Sequence, residues 1–343
     1  MAAQADLFPV STPGRIELPE GSPVILCYGG GVDSTALLIA LKRAGIRPDL
    51  ITFADVGGEK PETYETVELM SRWCVSVGFP AIVTCKYDTT HAPYNDLEGN
   101  SLKNETLPSL AFGKKSCSIK WKQVPQDYHV KGCQSGPNKC APHPLWIDCQ
   151  ERGIKPVKLI GYDAGPADLN RVKNIDKNRA KAIREGKNYD TSFEFIYPLQ
   201  QLGMIREDCI ALILDEGLPV PIKSACFFCP ASQKWELWWL AGKHPELLEK
   251  ALLMEVTAMT GHHTRFDEIE MGAGFMELIG SGKRWPSTET TVGLGRSFAW
   301  NHWARINNVC DSNGKVIADP AHCLEQAEKL KASGGNAADL RTC

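Results

Sequence analysis

The stretch "VILCYGGGVDSTALL", residues 24–38, constrains this chain more than any other. Val24 to Tyr28 is too short for a lone helix and rich in β-formers, so it predicts a buried strand. From Ser34 to Ala44, apolar residues return at helical spacing (Leu37, Leu38, Leu41, Ala44), and Gly45 supplies a C-cap. Three glycines therefore fall at a strand-to-helix turn. Free N–H groups and the positive helix end favour an anion there, and glycine lets a phosphate approach the main chain closely. Gly29, Gly30 and Gly31 are the candidate cradle. Asp33, Ser34 and Thr35 add a carboxylate able to hold Mg2+ and hydroxyls able to donate to phosphate oxygens, with Asp33 and Ser34 as catalytic candidates.

Two other nucleotide loops fit less well. The Lys-containing P-loop fails because no Gly-Lys-Ser/Thr follows the glycines. Near the other end, "ELIGSGKRW" has Glu277 where the first glycine belongs and Arg284 where the hydroxyl belongs, so it predicts a surface turn. The dinucleotide fingerprint finds Gly29, Gly31 and a later acid, Asp55, but Ser34 replaces the last glycine.

Further strands and helices alternate along the chain. "DLITFA" reads as a second strand, "PETYETVELMSRWCVSVG" as a helix with Pro61 in its first turn, and "AIVTC" as a third strand. "VKLIGY" and "FEFIYPL" supply two more, with helices over Met204 to Glu216 and Ser232 to Met259. The fold class is thus α/β: a doubly wound, mainly parallel sheet with ligands gathered beyond the C-terminal strand ends. The expected organisation is a loose arm over 1–22, a nucleotide-binding α/β domain over 23–230 and a mostly helical region over 231–343. Within the domain, about 86–155 read as an irregular, cysteine-containing insertion.

No run is long and apolar enough to span a membrane, and the first residues lack a signal peptide's apolar core, which predicts a cytoplasmic protein. In that compartment thirteen cysteines argue for free thiols and metal ligands over disulfides. In "SACFFCPAS", Cys226 and Cys229 stand two residues apart with Pro230 following, a pattern that suits iron–sulfur ligation, zinc or redox-active thiols. Cys133, Cys140, His143 and Cys149 have ligand types that suit zinc. The net charge of −3 excludes a global nucleic-acid signature but leaves room for a local basic patch. "NRVKNIDKNRAKAIREGK" supplies one, with Arg171, Lys173, Lys177, Arg179, Lys181, Arg184 and Lys187, while Lys114, Lys115, Lys120 and Lys122 flank Cys117.

"GGGVDS" resembles the PP-loop of ATP pyrophosphatases, Ser-Gly-Gly-x-Asp-Ser, with Gly29 in place of the first serine. "FADVGGEKPETYETVELM" resembles the second motif of the phosphoadenosine phosphosulfate (PAPS) reductase family, with Val56 replacing a threonine. "SCSIKWKQVP", "LIGYDAGPADLNR" and "YPLQQLGMIREDC" followed by "SACFFCP" look like later segments of that family, in its order. The resemblance implies an adenine nucleotide alpha-hydrolase-like fold, with Gly161 and Arg171 near the nucleotide and Arg171 able to pair with a phosphate. It also implies a 4Fe-4S cluster on Cys117, Cys226 and Cys229. Ser116 replaces the adjacent cysteine of relatives, leaving an open iron or a fourth ligand from Cys133, Cys140 or Cys149, with zinc as the alternative metal.

Two chemistries follow from the resemblance. One is ATP-dependent adenylation, with Mg2+, coupled to sulfur transfer onto an acceptor such as tRNA or DNA. The other is true PAPS or APS reduction, whose Glu-Cys-Gly-x-His motif this chain lacks. A non-catalytic nucleotide-binding module is the third reading. The partners implied are an adenine nucleotide, a sulfur donor or thiol reductant, and further copies of the chain in a homo-oligomer, with no membrane.

Overall fold

The computed structural model describes residues 14–112, 116–134, 136, 139–187, 190–261, 293–295 and 298–333. Most of the expected arm, Lys114, Lys115 and the Gly282–Lys283 turn lie outside them. The chain divides into two compact units: Met1–Ala54, Pro61–Cys85 and Gln126–Ser224 form the first, and Asp55–Lys60, Lys86–Pro125 and Ala225–Cys343 the second.

The first unit is built on β1 (Val24–Tyr28), β2 (Leu50–Asp55), β3 (Ile82–Lys86), β4 (Val157–Ile160) and β5 (Glu194–Ile196), in the order β3-β2-β1-β4-β5. The pairing is parallel, with Cys27 opposite both Thr52 and Ile160. The long helices α1 (Val32–Arg43) and α2 (Pro61–Ser76) follow β1 and β2. β2 is buried at every position and α1 is buried from Ser34 to Leu41, as a sheet covered on both faces requires. Leu26, Leu37, Ile51, Met70, Leu159 and Ile213 lie in one core. β1 takes β2 on one side and β4 on the other, so the loops leaving β1 and β4 run to opposite faces and open a crevice at their C-terminal ends. The glycine turn and Gly161 both occupy that switch point.

The segment read as irregular holds several short helices. It contains α3 (Leu97–Lys103), α4 (Ser116–Ser118), a π-helical turn over Ile119–Gln123, α5 (Val124–Lys131) and α6 (Pro144–Arg152). Local caps explain these helices: Asp96 Oδ1 accepts from Gly99 N at 2.7 Å, and Gly153, at φ 65°, ends α6. Beyond β4 come α7 (Pro166–Arg184), α8 (Pro198–Gln201) and α9 (Arg206–Asp215). The helical pattern over 232–259 is two helices, α10 (Lys234–Lys243) and α11 (Pro245–Gly261), because Pro245 cannot continue α10. Among the described residues no helix is long and apolar enough to cross a membrane.

The second unit has its own core, with Phe228, Leu248, Leu252, Trp300 and Trp303. At its centre the fully buried Glu255 gathers the chain around 294–301. Its carboxylate accepts from Leu294 N, from Trp300 N at 2.9 Å and from both Asn301 N and Asn301 Nδ2 at 2.8 Å. Glu255→Ala would leave these donors dry, at about 1–3 kcal/mol each. Urea titration of the full chain should show a loss of about 3 kcal/mol or more, with Glu255→Gln intermediate.

Candidate functional site

The turn after β1 is shaped by what a side chain would strike. Gly30 has φ +72°, and a Cβ there would lie 2.9 Å from Thr63 Cγ2 of α2. A Cβ on Gly31 would meet Ser224 Oγ at 2.9 Å. Gly30 therefore demands glycine, while at Gly31 a side chain would have to displace the Ser224 hydroxyl. Gly29 is different: its nearest neighbour would be Ser34 Oγ at 3.7 Å, so the serine of the family pattern has room. Ser34 Oγ accepts from Gly31 N at 3.3 Å and donates to Gly31 O at 3.1 Å, closing the first turn of α1. Thr35 is fully buried and its hydroxyl bonds Tyr28 Oη at 2.9 Å, so of the two expected hydroxyls only that of Ser34 faces the loop.

Gly161, at the end of β4, lies against this turn. A Cβ on it would sit 2.9 Å from Ser34 N and Ser34 Cα and 3.0 Å from Asp33 C. The chain then turns into α7 through two carboxylates: Asp163 Oδ1 accepts from Gly165 N at 2.8 Å, and Asp168 Oδ2 reaches back to Asp163 N at 3.3 Å. Met204 O accepts from Ala164 N at 2.7 Å, tying this corner to the entry of α9.

Three carboxylates meet as a result. Oxygens of Asp33, Asp163 and Asp168 lie within 4.8 Å of one another, close enough to share one divalent cation. Two arginines face them. Arg206 Nη1 donates to Asp33 Oδ1 at 2.7 Å and to Oδ2 at 2.8 Å, and Arg171 Nη1 donates to Asp168 Oδ1 at 2.7 Å. The Arg171 guanidinium also lies 4.9 Å over the Tyr162 ring, which stacks on Tyr197 at 5.6 Å. Burial pushes the carboxyls of Asp33 and Asp168 above the usual range, opposed by their arginines and reinforced by Asp163.

The structure thus brings together Gly29, Gly30, Gly31, Asp33, Ser34, Gly161 and Arg171 from the sequence candidates. Sequence reasoning singled out none of Asp168, Arg206 and Ser224, although they lie in the segments "LIGYDAGPADLNR", "YPLQQLGMIREDC" and "SACFFCP". Asp55, at the end of β2, accepts from Gly57 N at 2.8 Å and pairs with Lys86 at 2.8 Å.

The second unit holds three of the candidate metal thiols. The Cys226–Cys229 turn is closed by Cys229 N donating to Cys226 O at 3.0 Å, and Cys117 N donates to Ser109 Oγ at 2.8 Å. Cys117 and Cys229 pack against the cluster that contains Cys226. Burial raises the Cys226 thiol well above its usual value, Glu59 adds to this, and Lys122 opposes it. Lys122 Nζ donates to Glu59 Oε1 at 2.6 Å. Cys140, the fourth metal candidate, belongs to the first unit. There it pairs with Cys133 across an antiparallel bridge, and its thiol donates to Tyr128 O at 3.3 Å.

Among the described residues only the aspartate group brings three such donors within reach of a single ion. A cubane, by contrast, spreads its ligands over separate irons and needs no such convergence. Three thiols are the donor type that an iron–sulfur cluster takes, and a zinc ion would need a further donor or a water beside them.

Gly161→Ala should displace the turn at about 1–3 kcal/mol of overpacking. Calorimetric ATP titration should then show affinity reduced by about tenfold or more in a folded protein. Gly29→Ser should fold normally and bind ATP more tightly, by about 0.5–1.5 kcal/mol for one added donor.

No protein-family model and no curated protein matches the chain. Among solved structures, it is similar to the U34-tRNA thiolase NcsA from Methanococcus maripaludis with its 4Fe-4S cluster. The match covers 90% of this chain and 87% of that one, at 12% identity and a TM-score of 0.37.

Proposed function

We propose that this chain is a PP-loop enzyme, PAPS reductase-like, that uses ATP to adenylate an oxygen of a nucleic-acid acceptor and couples that step to sulfur transfer. The carrying observation is the convergence of Asp33, Asp163 and Asp168 beside the glycine turn and the N-terminus of α1. In this reading the acceptor oxygen attacks the α-phosphorus, the bond between the α- and β-phosphates breaks, and pyrophosphate leaves with the electron pair. A sulfur nucleophile then attacks the activated carbon and expels AMP. The N–H groups of the turn offset charge developing on the phosphate oxygens, and Ser34 Oγ adds a donor. Mg2+ would be held by Asp33 with Asp163 and Asp168, where it neutralises the leaving pyrophosphate. A 4Fe-4S cluster held by Cys117, Cys226 and Cys229 would supply, when bound, an iron whose remaining ligand a sulfur donor can displace. A reductase would instead need the Glu-Cys-Gly-x-His thiol that the sequence lacks.

Helix α7 supports a polyanionic acceptor. It has no buried residue, and its partly covered positions, Asp168, Val172, Ile175, Arg179 and Ala182, recur on one face. The opposite face carries Lys173, Lys177, Lys181 and Arg184, all exposed, interleaved with Asn170, Asn174 and Asn178. Lys173, Lys177 and Lys181 follow one another at i, i+4 spacing, which destabilises an isolated helix by about 0.2–0.5 kcal/mol per like-charged pair. A phosphate backbone lying along that face relieves the repulsion.

Pyrophosphate release from ATP should require acceptor and fall at least about tenfold in Asp33→Asn with the fold intact; unchanged release would overturn the reading. Labelled tRNA and DNA should bind with an affinity that drops steeply with salt. Changing Lys173, Lys177 and Lys181 together to Ala should flatten that slope by about 2–3, given about 0.9 per lost phosphate contact. Mn2+ can report on the carboxylates. Because burial raises Asp33 and Asp168, protons compete with the cation sooner. Mn2+ affinity should therefore weaken on acidification already above the pH at which an ordinary aspartate protonates, and Asp163→Asn should weaken it throughout.

A further inference from the structure

The second unit contains a buried carboxylate that the proposed reading does not use. Glu59 is 4% exposed, and only one of its oxygens is engaged by Lys122. The other, Oε2, is buried with no hydrogen-bond partner among the described residues. A buried carboxylate oxygen left without a donor carries a desolvation cost that a ligand would relieve.

Backbone geometry says where that oxygen belongs. Glu59 faces Cys226 across an isolated antiparallel bridge, and Phe227 N donates to Gly58 O at 2.9 Å beside it. Residues directly opposed in such a pair carry their side chains on the same face, with Cβ atoms about 4.5–5.5 Å apart. The bridge is held by Gly58, where a Cβ would strike Phe228 Cε1 at 2.5 Å. The Glu59 carboxylate and the Cys226 thiol therefore project on one face, and Cys117 and Cys229 pack against the cluster that contains Cys226.

We propose that Glu59 supplies, through Oε2, the fourth ligand of an iron–sulfur cluster otherwise held by Cys117, Cys226 and Cys229. The inference rests on the cluster assigned under the proposed function. Glu59 belongs to the same unit as the three thiols. An ionised carboxylate needs no electron transfer to bind: an iron–oxygen bond to Glu59 replaces one to water. Lys122 fixes the carboxylate through its other oxygen, as supporting hydrogen bonds do for metal ligands generally.

The test uses the full chain, purified without oxygen and reconstituted with ferrous iron and sulfide, as wild type, Glu59→Gln and Glu59→Asp. Electron paramagnetic resonance of the reduced protein in isotopically labelled water reads whether solvent holds the fourth iron. Wild type and Glu59→Asp should show no broadening from the label, and Glu59→Gln should show it. Glu59→Gln should also lose about one iron in four on ferricyanide treatment, while wild type keeps its iron. Broadening in wild type equal to that of Glu59→Gln would overturn the assignment, as would loss of iron from both alike. If wild type takes up neither iron nor sulfide, the cluster reading fails and the inference with it. Full iron and sulfide with a water-broadened wild-type signal defeats Glu59 alone. Should Glu59→Gln fail to fold, the wild-type and Glu59→Asp signals still decide.

Discussion

The first unit depends on one close approach, that of Gly161 to the peptide joining Asp33 and Ser34. With no room for a methyl between them, the end of β4 lies directly beside the start of α1. That contact is possible only because β1 and β4 are adjacent parallel strands whose following loops turn to opposite faces. Everything chemical follows from it. The residues just after Gly161 must turn sharply into α7, Asp163 and Asp168 cap that turn, and capping places their carboxylates against Asp33. The same aspartates thus serve the backbone and the candidate cation site.

The second unit solves a different problem: it holds ionised groups in a largely apolar interior. Lys60 and Glu236 lie 3.3 Å apart with side chains only 4% and 2% exposed, and Glu59 is paired with Lys122. Buried pairs of this kind add little net stability, because desolvation offsets the attraction, yet breaking one is costly. Their effect is to fix geometry. Lys60 and Glu59 sit on one short segment, so their separate partners hold that segment against α10 and the π-helical turn, and its bridge positions the 226–229 turn that carries two thiols.

Legibility in the sequence followed from whether a signal was local. β1, the glycine turn and α1 are readable because one contiguous stretch carries the apolar run, the glycines and the helical period. Gly153 after α6 and Pro144 at its start were equally local signals for a helix in the segment read as irregular, but the surrounding glycines, prolines and cysteines outweighed them. Thr35 shows the limit of reading composition at a helix start: one residue past Ser34 is a rotation of about 100°, enough to turn its hydroxyl inward to Tyr28. Arg206 and Ser224 meet the loop from segments more than 170 residues away, and tertiary contacts of that range leave no periodic trace.

Charge decides how the loop can be filled. Three carboxylates face two guanidinia and the half-positive end of α1, so the site as folded is close to neutral. A triphosphate entering alone would set its negative charges among the aspartates, and the arginines could not serve both at once. A divalent cation entering alone would meet carboxylates already engaged by Arg171 and Arg206. Entering together they resolve both conflicts: the cation takes the carboxylates, the freed guanidinia turn to phosphate, and the turn N–H groups complete the shell. On the proposed reading nucleotide and cation are therefore thermodynamically linked, each raising the affinity of the other by the same factor.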